Sequence, residues 1–416
     1  MKIAVVGAGV SGLVAARELA REHEVHLFEA APRAGGHAYT VEVEEDGQRI
    51  PIDMGFIVYN ERNYPHFSRL LSELGVATAT ATMGFSVHCP ESGFEYSGES
   101  LAGLVARRRN LVSPRFWRLV AGILRFHRAG ERELAAGGRR SLGEFCRHYR
   151  LSETAVRDYL LPMAGAIWSM PRQDVLDFPA ATLLAFFRQH GLLSLGDRPV
   201  WRTVVGGSRQ YVDALIERCP AEVRLGAEVR SIRSLPEAVE LRVDGDACRF
   251  DEVVVATHSD QALALLAAPT PAEREVLGAI PYRSNEAVLH CDRRMLPRRS
   301  GAWSSWNVAL AGPAGEGIAI TYLMTKLQPL PTRTPWCVTL NRTAAIDPAT
   351  VRHRVLFAHP QFDEAAIAAQ GRWAEISGRH RIHYCGAYWR HGFHEDGAWS
   401  GLRAARAVTS GRREAA

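Results

Sequence analysis

The sequence has few cysteines and no long uninterrupted apolar run, and each shortage excludes a class of protein. Its seven cysteines are odd in number, widely spaced and free of any Cys-x-x-Cys pair. This spacing indicates neither a disulfide framework nor a zinc site. No stretch of about 18 apolar residues lacks charge or glycine, so we expect no membrane-spanning helix. No His, Cys and Asp cluster has metal-ligand spacing, so we expect no bound metal.

The composition is that of a folded globular protein. Of 416 residues, 47% are apolar and 23% are charged, which excludes disordered and collagen-like chains. The length predicts two or three domains, or one large unit with an inserted lobe. Residues 1–16 begin like a secretory signal, but Gly7, Gly9 and Gly12 interrupt the apolar stretch. We therefore expect a cytoplasmic protein, and a peripheral location on the inner face of the membrane stays open.

Positive charge is concentrated in one segment. Residues 101–150 contain twelve Arg and three Glu, although the whole chain has a net charge of only +5. Ser113-Pro114 predicts a helix start, after which apolar residues fall on one face and Arg on the other. Gly137-Gly138 predicts the end of this helix, and Ser141 with Glu144 has capping-box spacing for the next one. Residues 101–135 would then either lie on an anionic membrane surface or pack on their own domain. Since both roles require amphipathicity, both stay open; a nucleic-acid partner is not expected, because no binding module accompanies the charge.

The N-terminus carries a dinucleotide-binding pattern. A strand over residues 2–6 leads into Gly7, Gly9 and Gly12, a helix follows, and Glu29 ends the next strand. Glycines at this spacing let backbone amides approach a pyrophosphate, and Glu29 accepts hydrogen bonds from a ribose diol. Strands predicted over 251–257 and 382–385 complete the same sheet. Long helices are expected from 60 to 195, with a hairpin at Asp244-Gly245.

Further motifs resemble the flavin-containing amine oxidase and phytoene desaturase superfamily. They are Arg33 with Gly35-Gly36-His37, Asp53-Met54-Gly55-Phe56, Val205 to Ser208, Tyr384 to Ala387 and Gly392 to Gly397. The resemblance extends over residues 1 to about 408 and implies FAD as cofactor. Two positions depart from the superfamily pattern, because His37 replaces an Arg and Tyr388 replaces an acidic residue.

The resemblance implies an α/β fold with a Rossmann-type FAD-binding domain and a mixed-sheet plus helical substrate lobe. The FAD-binding domain is expected in three parts (1–59, 201–275 and 371–416), with a helical lobe at 60–200 and a substrate-domain sheet at 276–370. The implied FAD-binding residues are Gly7, Gly9, Val10, Ser11, Gly12, Glu29, Ala30, Arg33, Gly35, Gly36, His37, Met54, Gly55, Phe56, Ile57, Val229, Gly386, Phe393, His394 and Gly397. A helix beginning near Gly397 would direct its amides towards the flavin.

The amino-acid sequences of several segments resemble one branch of this superfamily in particular. Trp303 to Asn307, Thr321 to Met324 and Tyr384 to Trp389 are similar to bacterial FAD proteins related to the N-terminal region of plant cyclopropane fatty acid synthases. That branch includes the desaturase of furan fatty acid biosynthesis. It implies an unsaturated fatty acyl substrate and leaves open whether that chain belongs to a phospholipid.

Four residues are candidates for catalysis: Tyr322, His258, Phe393 and His394. Trp306, Asn307, Tyr59, Asn60 and Trp168 are candidate pocket walls, although each aromatic also suits a core. The leading hypothesis is an FAD-dependent desaturase that passes a hydride to flavin N5. Alternatives are a double-bond isomerase, an amine oxidase, and an FAD-containing subunit that presents lipid to a methyltransferase partner.

Overall fold

The computed structural model describes residues 1–89, 92–99, 101–104, 107–168, 172–193, 196, 198–310 and 319–411. Within these ranges the chain forms the strands β1 (Lys2–Val6), β2 (Glu24–Glu29), β3 (Thr40–Glu45), β4 (Gln48–Asp53), β5 (Tyr59–Asn60), β6 (Thr78–Thr80), β7 (Phe85–Cys89), β8 (Phe94–Ser97), β9 (Trp201–Val204), β10 (Glu222–Leu225), β11 (Val229–Ser234), β12 (Val239–Val243), β13 (Asp246–Phe250), β14 (Glu252–Val255), β15 (Tyr282–His290), β16 (Trp306–Ala309), β17 (Ala319–Leu323), β18 (Cys337–Leu340), β19 (Val351–Pro360) and β20 (Ile382–Tyr384).

The same ranges contain the α-helices α1 (Val10–Leu19), α2 (Pro65–Leu74), α3 (Leu101–Leu104), α4 (Pro114–Ala136), α5 (Leu142–His148), α6 (Glu153–Ala155), α7 (Leu161–Trp168), α8 (Arg172–Asp177), α9 (Ala180–Gln189), α10 (Arg209–Arg218), α11 (Ser259–Leu265), α12 (Pro271–Gly278), α13 (Met324–Leu327), α14 (Glu364–Gln370), α15 (Trp373–Ile376) and α16 (His394–Gly411). A π-helical turn (Val156–Leu160) joins α6 to α7, and a 3-10 helix (Arg108–Val112) precedes α4. None of these helices is both long and apolar enough to cross a bilayer, as far as the described residues extend.

Five parallel strands form the sheet that the N-terminal motif predicted. Their order is β10-β2-β1-β14-β20, so strands from three distant parts of the sequence lie side by side. The central strands are nearly continuous runs of buried Val, Ile and Ala, as expected where helices cover both faces. Since all five strands are parallel, their carboxyl ends share one edge, where a dinucleotide binds in this architecture. The predicted α/β fold is confirmed.

A second, seven-stranded sheet has the order β19-β15-β18-β17-β16-β7-β8. It is mainly antiparallel, with β16 and β7 parallel. β7 and β8 fall in the stretch predicted to be helical, so that prediction is wrong at Phe85–Cys89 and Phe94–Ser97. Both strands are almost fully buried, yet each alternates apolar and polar residues, and this strand signal was overlooked in the sequence.

Local signals predicted several element boundaries correctly. α4 begins at Pro114 and ends before Gly137, which has φ of 61°. Ser141 and Glu144 form both hydrogen bonds of a capping box at the start of α5. Asp244 and Gly245 both have positive φ, as a tight hairpin turn between β12 and β13 requires. All seven cysteines carry free thiols.

Candidate active site

The glycine loop after β1 leaves an open space at the start of a helix. A Cβ on Gly7, which has φ of 103°, would lie 2.9 Å from the Ala256 carbonyl oxygen, and one on Gly12 would lie 1.8 Å from the Gly7 oxygen. A Cβ on Gly9, in contrast, would meet no atom within 4 Å. α1 begins at Val10, and Gly9 offers no side chain to cap it. The first amides of α1 are therefore available to an anion placed above Gly9.

The second glycine pair packs directly against this loop. Gly9 and Gly35 form a β-bridge, and a Cβ on Gly36 would lie 3.3 Å from the Gly9 Cα. The Arg33 guanidinium donates to the Gly36 carbonyl oxygen at 2.9 Å and lies 3.9 Å from the centre of the Tyr39 ring. Arg33 thus holds the backbone of the second loop, and the two glycine loops form one continuous surface.

Glu29 lies at the end of β2, where the sequence predicted contact with a ribose. Its Oε2 accepts the Ala8 amide at 2.7 Å and its Oε1 accepts the Ala31 amide at 2.9 Å. A carboxylate offers about four acceptor positions, so two stay available for hydroxyl donors. The Ala227 amide donates to the Glu29 carbonyl oxygen at 2.9 Å, which brings the chain leading into Val229 to the same end of the sheet.

The segment Met54 to Ile57 connects the second glycine pair to the C-terminal motif. The Phe56 amide donates to the His37 carbonyl oxygen at 2.8 Å, and a Cβ on Gly55 would lie 2.1 Å from that oxygen. The Phe56 ring stacks on His394 with centres 3.7 Å apart. His394 Nε2 lies 3.0 Å from the Tyr211 hydroxyl, and burial lowers the pKa of His394 to about 3, so its ring is neutral at pH 7.

Glycines in the closing motif allow two helices to cross closely. A Cβ on Gly397 would lie 2.5 Å from Val10 Cγ1, and one on Gly401 would lie 2.4 Å from the Ser11 carbonyl oxygen. The N-terminal turn of α16 therefore lies against that of α1. α16 begins at His394, which corrects the predicted start near Gly397: the helix includes the three polar residues before that glycine. Gly386 donates its amide to Ser400 of the same helix at 3.1 Å.

Two buried carboxylates follow His394, and the sequence analysis did not assign Asp396 a role. Glu395 accepts the backbone amides of His66 and Phe67, at 3.2 and 3.0 Å, at the start of α2. Asp396 accepts the Phe393 amide at 2.9 Å. Burial raises the pKa of Asp396 to about 7, so this carboxyl group titrates near neutral pH. Its place between Gly392 and Gly397, next to a predicted helix start, was the available signal.

The four candidate catalytic residues do not form one cluster, although Phe393 and His394 are consecutive in the chain. His394 stacks on Phe56, and Phe393 stacks on Phe186 of α9 with centres 5.1 Å apart. His258 stacks instead on Tyr282, at 4.5 Å. Tyr322 lies in β17 of the seven-stranded sheet, where its ring meets Trp306 at 5.3 Å. In the described part of the chain, no ring contact or hydrogen bond joins Tyr322 to the other three. The side chain of Trp168, a predicted pocket wall, lies outside the described residues.

A cluster of buried histidines was not predicted. His37 lies 5.3 Å from His359 and 5.9 Å from His258, measured between ring centres, and it stacks on Phe357 at 4.9 Å. Burial lowers the pKa of all three histidines, that of His359 to about 4. His37 Nε2 is buried without a hydrogen-bond partner among the described residues. His37 was notable in sequence only as a departure from the usual Arg, and more than 300 residues separate it from His359.

These features fit the FAD that the sequence resemblance implies. The open space above Gly9 and the free amides of α1 suit a pyrophosphate, and Glu29 retains acceptors for a diol. The unpartnered His37 Nε2 provides a buried polar atom that a bound group can satisfy. No group of three or more His, Cys, Asp or Glu in the described ranges is arranged to hold a metal ion.

A cavity of about 360 Å³ lies beside the closing motif. Its walls come from α9, from the chain around α14 and from the turn before α16. The lining residues are Phe178, Ala181, Thr182, Ala185, Phe362, Ile367, Gln370, Arg390 and His391. More than half of them are apolar and none is acidic, so the cavity suits an apolar chain with a polar or anionic end.

Comparisons with known proteins agree with this geometry. A family model described as flavin containing amine oxidoreductase matches residues 10–335. A protein named flavin-containing monoamine oxidase AofH, from Mycobacterium tuberculosis, is 30% identical over 328 residues, which cover 76% of this chain and 68% of that protein. The fold is shared with a CLA-producing fatty acid isomerase from P. acnes (TM-score 0.70, 15% identity, 98% of both chains) and with cyclohexylamine oxidase from Brevibacterium oxydans (TM-score 0.69, 16% identity, 99% of both chains).

Proposed function

The chain belongs to the flavin-containing amine oxidoreductase family and is an FAD-dependent oxidoreductase, and from that premise we propose that it desaturates an unsaturated fatty acyl chain. Bound FAD supplies the acceptor for a hydride and its two electrons. The substrate gives up this hydride from an allylic carbon and loses a proton from a second carbon to a base or bound hydroxide, which leaves a new double bond. The branch of acyl-chain enzymes that the sequence resembles belongs to this proposal.

The cavity beside α9 is the observation that carries the proposal. Phe178, Ala181, Ala185, Phe362 and Ile367 give it apolar walls, and no carboxylate lines it. An alkyl chain gains about 0.8 kcal/mol for each methylene that it buries on such a surface. A protonated amine would instead find no anionic partner there.

Arg390 supplies a positive charge at the cavity. Its side chain is exposed, and its guanidinium lies 3.6 Å from the centre of the Trp399 ring, which restricts its orientation. A guanidinium forms two parallel hydrogen bonds with a carboxylate or phosphate. The cavity thus combines walls for an acyl chain with a group for its anionic end, whereas an amine substrate would be repelled.

The cavity also contacts the motif expected to hold the flavin. A Cβ on Gly392, which has φ of 88°, would lie 3.3 Å from the Phe362 ring. On the other side, α9 contributes Ala181 and Ala185 to the cavity and stacks Phe186 on Phe393. An acyl chain in the cavity would therefore lie next to residues 392–397, as a reaction with the cofactor requires.

Relatives support a second candidate. The M. tuberculosis relative is named a monoamine oxidase, which favours oxidation of an amine to an imine. The P. acnes isomerase supports the acyl reading, because it acts on a fatty acid within the same fold. A direct substrate comparison separates these functions.

The test is anaerobic reduction of the purified holoprotein. It would be mixed with dioleoylphosphatidylglycerol vesicles, oleate, cyclohexylamine or putrescine while the flavin absorbance is followed. We expect bleaching by an oleoyl substrate and a lipid product lighter by two hydrogens. A shifted double bond at unchanged mass would indicate an isomerase, lipid binding without any reaction would indicate the lipid-presenting role, and bleaching by amines alone would contradict the proposal.

A substitution in the cavity tests whether the substrate binds there. Ala185→Phe fills the space between α9 and the opposite wall, whereas Arg188→Phe adds the same ring at an exposed position of α9 outside the lining. Since displacement of a substrate by about 1 Å can cost 100-fold in rate, we expect at least a tenfold loss for the first variant. Equal rates for both variants would place the substrate elsewhere.

A further inference from the structure

Helix α4 has two faces with different surroundings. Phe116, Leu119 and Phe126 are buried in the core, so the apolar face predicted from sequence packs on its own domain. A second apolar group faces outward. Trp117 is 54% exposed and Leu124 is 37% exposed, and the 3-10 helix before α4 exposes Leu111 and Val112. Packing of α4 against its own domain therefore accounts for its buried apolar residues but not for the exposed ones.

These exposed side chains form a defined patch, the 111–124 patch, made of Leu111, Val112, Trp117 and Leu124. They are four of the eight large apolar side chains exposed in the described part of the chain. The Trp117 indole N–H donates to the Leu111 carbonyl oxygen at 2.8 Å, which fixes the ring over the 3-10 helix. A half-exposed Trp whose N–H is satisfied is suited to a membrane interface.

An arginine groove of about 620 Å³ adjoins the C-terminal half of α4. It is lined by Arg125, Arg128, Ala129, Arg132, His148, Tyr149 and Arg150. No lining residue is acidic, and the ion pairs among the described residues do not include these four arginines. The Glu133 carboxylate, which interacts with Tyr149, pairs with Arg140 rather than with these four arginines. The guanidinium groups on the groove wall can therefore bind phosphate oxygens.

The patch and the groove lie on the same side of α4. With 3.6 residues per turn, Trp117, Leu124 and Arg128 fall within about 40° of one another around the helix axis, and Arg125 and Arg132 lie within about 60° of Arg128. α4 has 23 residues and is therefore about 34 Å long. One flank of a long helix thus carries an apolar end followed by a basic end.

Arg150 completes the groove from an unfavourable backbone conformation. It follows the C-terminal turn of α5 and has φ of 50°, a left-handed conformation in which glycine is the common residue. The Leu151 amide donates to the Cys146 carbonyl oxygen at 3.0 Å, which closes the turn around it. A non-glycine residue is retained in this conformation at a cost, and here its side chain contributes a fourth guanidinium to the groove.

From these observations we propose that the 111–124 patch and the arginine groove dock the protein on an anionic phospholipid bilayer, with lipid phosphates bound in the groove. Soluble phosphate would leave the patch uncovered, whereas a bilayer accommodates both its apolar and its basic parts. The inference deepens the proposed function and rests on it only for the idea that the substrate is a lipid.

The test is co-sedimentation of the full-length holoprotein with vesicles. Diphytanoyl lipids are used because they hold no double bond, so binding is measured apart from any reaction, and failure of the proposed oxidation would leave the result intact. We expect binding to phosphatidylcholine vesicles that contain phosphatidylglycerol, weak binding to phosphatidylcholine alone, and a marked decrease at high salt.

Variants locate the surface. Arg125→Glu/Arg128→Glu/Arg132→Glu should weaken binding at least tenfold, while Arg233→Glu/Arg242→Glu/Arg249→Glu, with the same charge change on exposed residues of the three-stranded sheet, should not. Val112→Asp should weaken it too, whereas Leu356→Asp, at another exposed apolar residue, should not. Circular dichroism and Tm check that each variant is folded.

Two results would overturn the proposal. One is equal loss of vesicle binding in the groove variant and its charge-matched control. The other is a Tm increase with inorganic phosphate alone that the groove variant abolishes, combined with no vesicle binding, since this would indicate a site for a soluble anion.

Discussion

The space above Gly9 permits a test that separates folding from cofactor binding. Gly9 has φ of −73° and ψ of 178°, which alanine adopts without strain, and a Cβ there meets no protein atom within 4 Å. Gly9→Ala lowers the conformational entropy of the unfolded chain, which raises the unfolding free energy by about 0.4–1 kcal/mol. Alanine is a poorer N-cap than glycine by roughly 0.5–1 kcal/mol. Because the two effects oppose each other, the unfolding free energy of the apoprotein should change by less than about 1 kcal/mol.

The same methyl group would occupy the space assigned to the pyrophosphate. If it displaces one hydrogen bond between an α1 amide and a phosphate oxygen, the loss is about 1.5–3 kcal/mol. This corresponds to roughly 10- to 150-fold weaker FAD binding. The assay is titration of apoprotein with FAD by flavin fluorescence, with urea unfolding of the same samples.

A second glycine provides the contrast. Gly12→Ala would place its Cβ 1.8 Å from the Gly7 oxygen and should destabilise even the apoprotein, whereas Gly278→Ala, where the nearest atom is 3.7 Å away, should affect neither measurement adversely. Wild-type FAD affinity in Gly9→Ala would refute the placement of the pyrophosphate above Gly9.

Three other substitutions test the account elsewhere. Arg150→Gly should raise the unfolding free energy by about 1 kcal/mol, because glycine adopts positive φ freely, while vesicle binding weakens; a loss of stability in urea unfolding would contradict this. In the folded apoprotein Asp396 holds its proton up to a pH of about 7, whereas in the unfolded chain the carboxyl group loses it near pH 4. The contribution of Asp396 to the unfolding free energy therefore falls as the pH rises from about 4 through about 7. Asp396→Asn should therefore gain stability relative to wild type across that window, on the order of 2–4 kcal/mol, and a pH-independent difference in Tm would exclude this assignment. Arg140→Ala leaves the fully buried Glu133 without its two guanidinium hydrogen bonds and should cost about 3 kcal/mol, most of it recovered by adding Glu133→Gln; an additive double variant would be the contrary result.

The parts of the fold that follow from local sequence were predictable. Gly7, Gly9 and Gly12 between two apolar strands have few other structural explanations. The structure gives Gly7 and Gly12 a steric reason, whereas the space beside Gly9 is open to a ligand. Pro114 and the Ser141–Glu144 box marked helix starts because capping depends on neighbouring residues alone. The family assignment rested on the same kind of short, position-specific motif.

Features created by tertiary packing were not predictable. The place of β7 in the seven-stranded sheet depends on its pairing with β16, which lies more than 200 residues later in the chain. The contact of His37 with His359 depends on how the two large sheets meet. The sequence could not predict which apolar residues of α4 are exposed. Phe116 and Trp117 are adjacent and both aromatic, yet Phe116 is buried and Trp117 is exposed. The domain boundaries stay predictions.

The most direct test of the account is the stoichiometry of a single anaerobic turnover. Holoprotein is mixed with excess oleoyl phospholipid, the reduced flavin is quantified by absorbance, and the lipid is analysed by mass spectrometry. The account predicts one additional carbon–carbon double bond for each flavin reduced. In Ala185→Phe, flavin reduction and double-bond formation should both be slower. A flavin that cyclohexylamine or putrescine reduces, and that no unsaturated lipid reduces, would contradict it.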